Sequence, residues 1–381
     1  DIDWAIATDD GVPPLYNELQ VQEDIGVVAP SQPSAAYASS DMTTTPSGYD
    51  LPNLSLDWGG STPVGTLPTG KVSYAIQWLL PVLDSVDDGD FVTIPDFGGG
   101  ISDMCALDVT TDGTIMVGYG NNKRGPLAFY ADMSDPTLPV VKTLTITDSV
   151  YTAQTLKWTV AEAVSADGMI IAGYGGTQKG PRAFVTNVED ASTDPITLLS
   201  VGLPNIAGGK YAKAYAMTPD GAVIAGMSDS PKGPQACIWF TDSTTGEWVV
   251  KGLGGLSKKK LNSAATGIAY RVGSDAGDLM VVGWSQSILY PSEAFVWTGN
   301  PVLEDDGIGY MYDLEYILIK TGVGEESGMG SEWILTEATG VAVDVATEDT
   351  RIVGWGVNPE GGEEAWLITG FPFDELEFTH E

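Results

Sequence analysis

One unit recurs along this chain, and its recurrence limits the possible folds more than any other feature of the sequence. The clearest copy is AEAVSADGMIIAGYGGTQKGPRAFV, residues 161–185: a short strand, an Asp-Gly turn, a second strand, a Lys-Gly-Pro loop and a third strand. The copies align on a large residue ending the second strand, namely Tyr119, Tyr174, Met227, Trp284 and Trp355, spaced 55, 53, 57 and 71 residues apart. A weaker copy precedes them. Ala36-Tyr37-Ala38 matches Ala214-Tyr215-Ala216, Trp58 takes the aromatic position, and Ala75-Ile76-Gln77-Trp78 matches Ala294-Phe295-Val296-Trp297. A period of this size means an array of units, none able to bury its own faces alone. Six repeats result, at 35–97, 105–148, 160–202, 213–254, 264–323 and 338–379.

Each later repeat reads as four strands. The first carries small residues two apart, as in Ala161 and Ala163, Ala214 and Ala216, Ala265 and Gly267, Ala338 and Gly340. A crowded innermost strand requires such side chains. Asp112-Gly113, Asp167-Gly168 and Asp220-Gly221 read as tight turns, because Gly tolerates positive φ. The second strand is nearly all apolar, as in Met169-Ile170-Ile171-Ala172, and reads as buried on both faces. The fourth is the most variable; at Tyr310 to Lys320 a short helix competes with a strand. The expected fold is all-β: a β-propeller of six four-stranded blades, with five or seven as neighbouring counts. A solenoid is the rival, and it would expose a long edge at each end.

Residues 1–34 stand apart as an acidic arm. They hold seven acids and no Lys or Arg, yet Leu19, Val21, Ile25, Val27 and Val28 give them one strand's worth of apolar side chains. The whole chain has a net charge of −35, which argues against nucleic acid, whose phosphates need clustered Lys and Arg, and against anionic membranes. No run of about 20 apolar residues offers a membrane span. Cys105 and Cys237 fall in repeats two apart and are expected to be two buried thiols. The chain begins at Asp1 rather than Met, which suggests processing and export.

The pattern A-x-x-V-S-x-D-G-x-x-x-x-G-Y followed by A-F-x-W resembles the HAF repeat of exported prokaryotic proteins. The last repeat is most similar, through GSEWIL at 330–335, Ile352-Val353-Gly354-Trp355-Gly356 and Ala365-Trp366-Leu367-Ile368. The resemblance covers about 105–370 clearly and 35–97 faintly, omits the arm, and departs from many members in lacking a hydrophobic tail after Phe371. It implies export, with an extracellular or cell-surface location, and a propeller-like fold, and implies no catalytic residues.

Catalytic chemistry finds little material. The one histidine, His380, is next to last, which leaves no Ser-His-Asp centre and no His-ligated metal site. Asp108 and Glu162 occupy innermost strands where small residues are usual, and read as hydrated charges or a channel lining. Calcium is the cation that acidic loops would take, at Asp84, Asp87, Asp88 and Asp90 or at Asp305 and Asp306, though a plain acidic turn explains both stretches. Lys123, Arg124, Lys179 and Lys232 recur in one loop of three successive repeats and would form a basic rim for anionic glycans or for an acidic partner. The leading functional expectation is a non-enzymatic structural protein that joins copies of itself, through the arm, into a fibre or surface layer. A glycan-binding module is the alternative, and a polysaccharide-degrading enzyme comes third.

Overall fold

The computed structural model describes residues 36–39, 73–79, 90–94 and 104–371, the last without 123–124, 136–137, 149–153, 178–179, 190, 194, 258–260, 272–276, 302–308, 322–332 and 344–348. The fold class is the expected one, an all-β protein of the β-propeller type, with one short helix among the described residues. The chain divides into two compact units, residues 1–171 with 187–200 and residues 172–186 with 201–381.

In the first unit, β1 (Ala36–Ser39), β2 (Ser73–Leu79) and β3 (Asp90–Thr93) form an antiparallel sheet in chain order. β4 (Met104–Val109), β5 (Ile115–Asn122), β6 (Gly125–Asp132) and β7 (Val140–Asp148) form the next. Ile94, Met104, Met116, Phe129, Ala131 and Met133 make its core. β8 (Gln154–Thr155) pairs with the end of β7, and β9 (Thr159–Val164) opens the third repeat. The outer strand β7 is not a free edge. Leu144–Asp148 pair in parallel with Ile196–Ser200, the first part of β12 (Ile196–Gly202). Leu144, Ile146, Ile196 and Leu198 are all buried, so the ladder carries an apolar face. The repeat period alone does not predict this union of two outermost strands.

The second unit holds β10 (Ile170–Thr177) from Ala172 onward, β11 (Gly180–Asn187) to Thr186, and the end of β12, where Phe184 pairs with Gly202. It continues with two four-stranded antiparallel sheets in chain order. These are β13 (Ala212–Met217), β14 (Val223–Ser228), β15 (Gln235–Thr241) and β16 (Trp248–Gly254), then β17 (Ser263–Tyr270), β18 (Leu279–Ser285), β19 (Glu293–Gly299) and β20 (Tyr310–Asp313). The last sheet is β21 (Ile334–Val343), β22 (Thr350–Val357) and β23 (Glu363–Ile368). Ala236, Ile238, Ala265, Val281, Phe295 and Trp297 pack between the fourth and fifth repeats.

Inner strands explain the small residues. β4, β13, β17 and β21 each carry a β-bulge, between Ala106 and Asp108, Ala214 and Ala216, Ala265 and Gly267, and Ala338 and Gly340. The alanine before each bulge pairs with a second-strand glycine: Gly118, Gly226, Gly283 or Gly354. A Cβ on any of the four would stand only 2.0–2.1 Å from a carbonyl oxygen of the inner strand. The bulge tips that carbonyl toward the second strand, so the glycine before Tyr119, Met227, Trp284 or Trp355 is required by close approach.

The Asp-Gly turns are as expected, with Gly113, Gly168 and Gly221 at φ of 70–73°. Each is also held by a hydroxyl two residues before the aspartate. Thr110, Ser165 and Thr218 donate to Asp112, Asp167 and Asp220 at 2.6–2.7 Å and accept the N–H of Ile115, Ile170 and Val223. The motif is therefore Ser/Thr-x-Asp-Gly. The Thr110 hydroxyl, followed by the N–H and hydroxyl of Thr114, holds the Asp112 carboxyl down at about 2.

Two expectations need correction, and one stretch left open between strand and helix resolves into both. Met169 lies outside its strand and is 46% exposed, because the turn still turns outward there. Cys105 is only half-buried, although Cys237 is fully enclosed and its thiol is pushed up by that burial. Tyr310 to Lys320 is a short strand followed by α1 (Leu314–Thr321). The helix wins because Leu314, Ile317 and Leu318 fall on one buried face, and Asp313 caps it by accepting the Tyr316 N–H at 3.2 Å.

Replacing Gly283 by alanine is expected to destabilise the chain by roughly 1–3 kcal/mol or more, because Cβ meets backbone that cannot swing aside. The shift of the chemical-denaturation midpoint measures it. Gly246→Ala, where nothing lies within 4 Å but φ is positive, is the milder comparison.

Candidate functional site

The sixth repeat differs from its neighbours at its outer side. β13–β16 and β17–β20 each end on a fourth strand, whereas among the described residues the sixth sheet ends at β23. Residues 372–381, where a fourth strand at 373–379 would fall, lie outside the described residues. β23 alternates as a half-covered strand does. Trp366 and Ile368 are buried against Gly354 and Ile352, while Leu367, paired with Val353, is 50% exposed. Among the described residues β23 is thus an edge strand, and such a strand presents a row of N–H and C=O groups to an incoming one. Among the described residues the buried indole N–H of Trp366 and the buried hydroxyl of Thr350 also find no hydrogen-bond partner.

A group of carboxyls lies where the fifth repeat meets the sixth. The β19–β20 register ends by pairing Phe295, two residues after Glu293, with Asp313, and α1 starts at the next residue and carries Glu315 in its first turn. Glu293 is buried and hydrogen-bonded to Ser287. Glu315 accepts the backbone N–H of Leu335, which ties α1 to β21. Burial, then the neighbouring Asp313 and Glu293 charges, push the Glu315 carboxyl up to about 7. Burial likewise raises Asp313 and Glu293. On β21 itself, Glu337 accepts the Trp355 indole N–H at 3.3 Å and is also raised by burial.

Asp108 proves to be a tie between inner strands. It stands just after the bulge of β4, where β13, β17 and β21 have Ala216, Gly267 and Gly340. Its two carboxylate oxygens accept the N–H of Val109 at 2.9 Å and of Val164 in β9 at 2.8 Å. Burial pushes it up to about 6 despite those two bonds. Glu162 is half-buried in β9.

Of the other sequence-derived candidates, Lys232 is described. It is exposed, in a loop closed by bonds between Ser230 and Gly233, and Leu261 donates its N–H to the Lys232 carbonyl. Lys123, Arg124 and Lys179, the arm residues Leu19, Val21, Ile25, Val27 and Val28, and the acids Asp84, Asp87, Asp88, Asp305 and Asp306 lie outside the described residues. Asp90 is the first residue of β3. Among the described residues no group of three or more His, Cys, Asp or Glu is arranged to hold a metal ion. The carboxyl group at 293, 313 and 315 was missed in the sequence because its members belong to three elements. Only the register and the strand-to-helix switch at Asp313 bring them together.

No family model matches the chain, and no curated protein matches its sequence. Similar solved structures include TolB from Acinetobacter baumannii, at 13% identity, 79% of this chain, 62% of that one and a TM-score of 0.39. Sqt1 from Chaetomium thermophilum, bound to the N-terminus of the ribosomal protein L10, is similar at 12% identity, 77% and 68% coverage and a TM-score of 0.38. The Cps50 (Swd1) β-propeller domain of Myceliophteria thermophila gives 10%, 77%, 93% and 0.32. This chain thus spans less than two thirds of the TolB chain, and likeness at this level transfers no activity.

Because Asp108 titrates higher in the folded chain than the usual 3.8, it favours folding below that value, and this contribution is lost as pH rises through about 6. Thermal midpoints should therefore fall between pH 4 and pH 7. Asp108→Ala, which restores the small residue of the other repeats, should flatten that part of the profile and leave any decline centred near 7. An unchanged profile would contradict this assignment.

Proposed function

We propose that this chain is a non-enzymatic structural protein that joins copies of itself by placing the N-terminal segment of one copy on the β23 edge of the next. The observation that supports the reading is the sixth sheet, which among the described residues ends at β23 with a half-exposed Leu367, where the fourth and fifth repeats have a fourth strand. Strand addition to such an edge satisfies backbone groups on both sides, and alternate side chains supply the specificity. Residues 1–34 suit the role. They lie outside the repeats and combine Leu19, Val21, Ile25, Val27 and Val28 with seven acids. A head-to-tail contact of this type propagates into a filament or layer unless it closes on itself. Export to the cell surface belongs to the same proposal and comes from the resemblance to the HAF repeat.

Light scattering after size exclusion, with negative-stain images, tests the reading. The full chain should form species larger than one copy. Deleting residues 1–34, or replacing Leu367 by Asp to set a charge against the acidic segment, should give folded single copies. A full chain that stays a single copy at high concentration, or a Leu367→Asp variant that assembles as before, overturns the proposal.

A further inference from the structure

The loops from second to third strand are built alike in the last three repeats but carry different chemistry. In the fourth, the Ser230 N–H donates to the Gly233 carbonyl at 3.1 Å, and its hydroxyl accepts the Lys232 N–H at 3.3 Å. In the fifth, the Ser287 N–H donates to the Tyr290 carbonyl at 3.1 Å, and its hydroxyl accepts the N–H groups of Leu289 and Tyr290 at 3.0 Å. In the sixth, Asn358 accepts the N–H groups of Glu360 and Gly362 and donates to the Glu364 carboxylate at 3.0 Å. The fourth loop displays Lys232, and the sixth, with the start of β23, displays Glu360, Glu363 and Glu364. Between them the fifth displays Ile288, Leu289 and Tyr290 at 89%, 81% and 39% exposure. The fourth loop shows that a serine turn needs no apolar side chains, and the bonds to Ser287 fix the backbone of this tip. Hydrogen bonds also set the loops side by side. Leu261 donates to the Lys232 carbonyl and Gln286 to the Asn262 carbonyl, while the Ser292 hydroxyl donates to the Thr336 carbonyl of β21 at 3.0 Å. Lys210, exposed, extends the basic side, its N–H donating to half-buried Asp229 at 3.3 Å. The stretch 203–262 holds seven lysines against four acids in a chain of net charge −35. One rim of the second unit thus runs from lysine through an apolar tip to glutamate.

We propose that this rim is a self-complementary contact through which two copies meet about a two-fold axis, tip against tip. Half a turn about the fifth-repeat tip sets the lysines of one copy against the glutamates of the second, and its glutamates against the lysines of the second. Both margins are matched at once, as a two-fold contact requires. Ile288, Leu289 and Tyr290 of the two copies cover each other at the centre, giving an apolar middle with charged margins. A polyanion or an anionic membrane laid along the rim would meet Glu360, Glu363 and Glu364, and a cationic partner would meet Lys210 and Lys232. A second copy carries both signs in the required order. Three apolar side chains with flanking charges cover less than the about 800 Å2 a side typical of lasting complexes, so the contact is weak and is lost on dilution. It goes beyond the β23 reading. A head-to-tail joint makes a line of copies, and a weak two-fold joint repeated along such lines ties them side by side into a layer.

Sedimentation equilibrium of the full chain bearing Leu367→Asp, at high protein concentration and about 0.15 M salt, tests the contact. Pairing should appear as a mass that rises with concentration. Ile288→Ser with Leu289→Ser should weaken it about tenfold or more. Lys210→Glu with Lys232→Glu should weaken it as much, and so should Glu360→Lys with Glu363→Lys, because like charges then face each other on both margins. Mixing the two charge-swapped chains in equal amounts should restore pairing, since each margin of one then meets its opposite on the other. Glu247→Lys, an exposed charge change beyond the far end of β15, should leave pairing unchanged. A mass that stays at one copy at every concentration, swapped chains that pair as before, or a mixture that pairs no better than its components overturns the contact. The β23 reading is decided separately, in dilute solution, by whether the unaltered chain exceeds one copy and the Leu367→Asp chain does not.

Discussion

The close approach of each inner strand to the second strand of its own repeat is the constraint from which most of the structure follows. A bulge in the inner strand turns a carbonyl toward its neighbour, and only glycine leaves room for it. The same bulge sets the residue after it toward the next repeat. At Gly267 a Cβ would stand 3.1 Å from the Gly340 Cα, so a small side chain there is a condition of packing in the second unit. Asp108 occupies the corresponding position in the first unit and accepts the Val164 N–H instead of merely making room. One backbone irregularity thus explains the alanines, the glycines and the place of Asp108.

Toward the outer side of the repeats this uniformity fails. β7 shares a parallel ladder with the start of β12, β20 gives way to a helix, and β23 has no further strand among the described residues. An inner strand is confined on both faces and along one edge by its own repeat. An outer strand has one partner within the repeat, and its other edge answers to whatever packs there. The fourth strand is therefore where the repeats differ most.

An acidic chain must place its carboxylates with care, and this one treats them in two opposite ways. In the Ser/Thr-x-Asp-Gly turns, hydroxyl and backbone donors surround the aspartate and keep it ionised. Asp108 and Glu315 are instead withdrawn from water, and desolvation outweighs the hydrogen bonds they receive. The first group is indifferent to pH across the neutral range, whereas the second titrates within it. Among the described residues, the carboxyls raised toward neutrality thus lie at a few junctions between repeats.

The sequence by itself determined the repeating unit, its strand order and its turns. Small inner residues, apolar second strands and Asp-Gly pairs are local requirements of a single repeat, and they recur at a readable period. It showed the glycine at the end of each second strand without the reason for it, since the clashing carbonyl belongs to another strand. Asp108 could be singled out because it interrupts a pattern, but its partner, Val164, lies 56 residues away and comes into reach only through packing. Glu293, Asp313 and Glu315 carried no signal at all. Their meeting depends on the β19–β20 register, on the helix that begins at Leu314 and on burial that lifts their affinity for protons. Desolvation is a property of the surroundings a side chain ends in, and only the tertiary structure decides those surroundings.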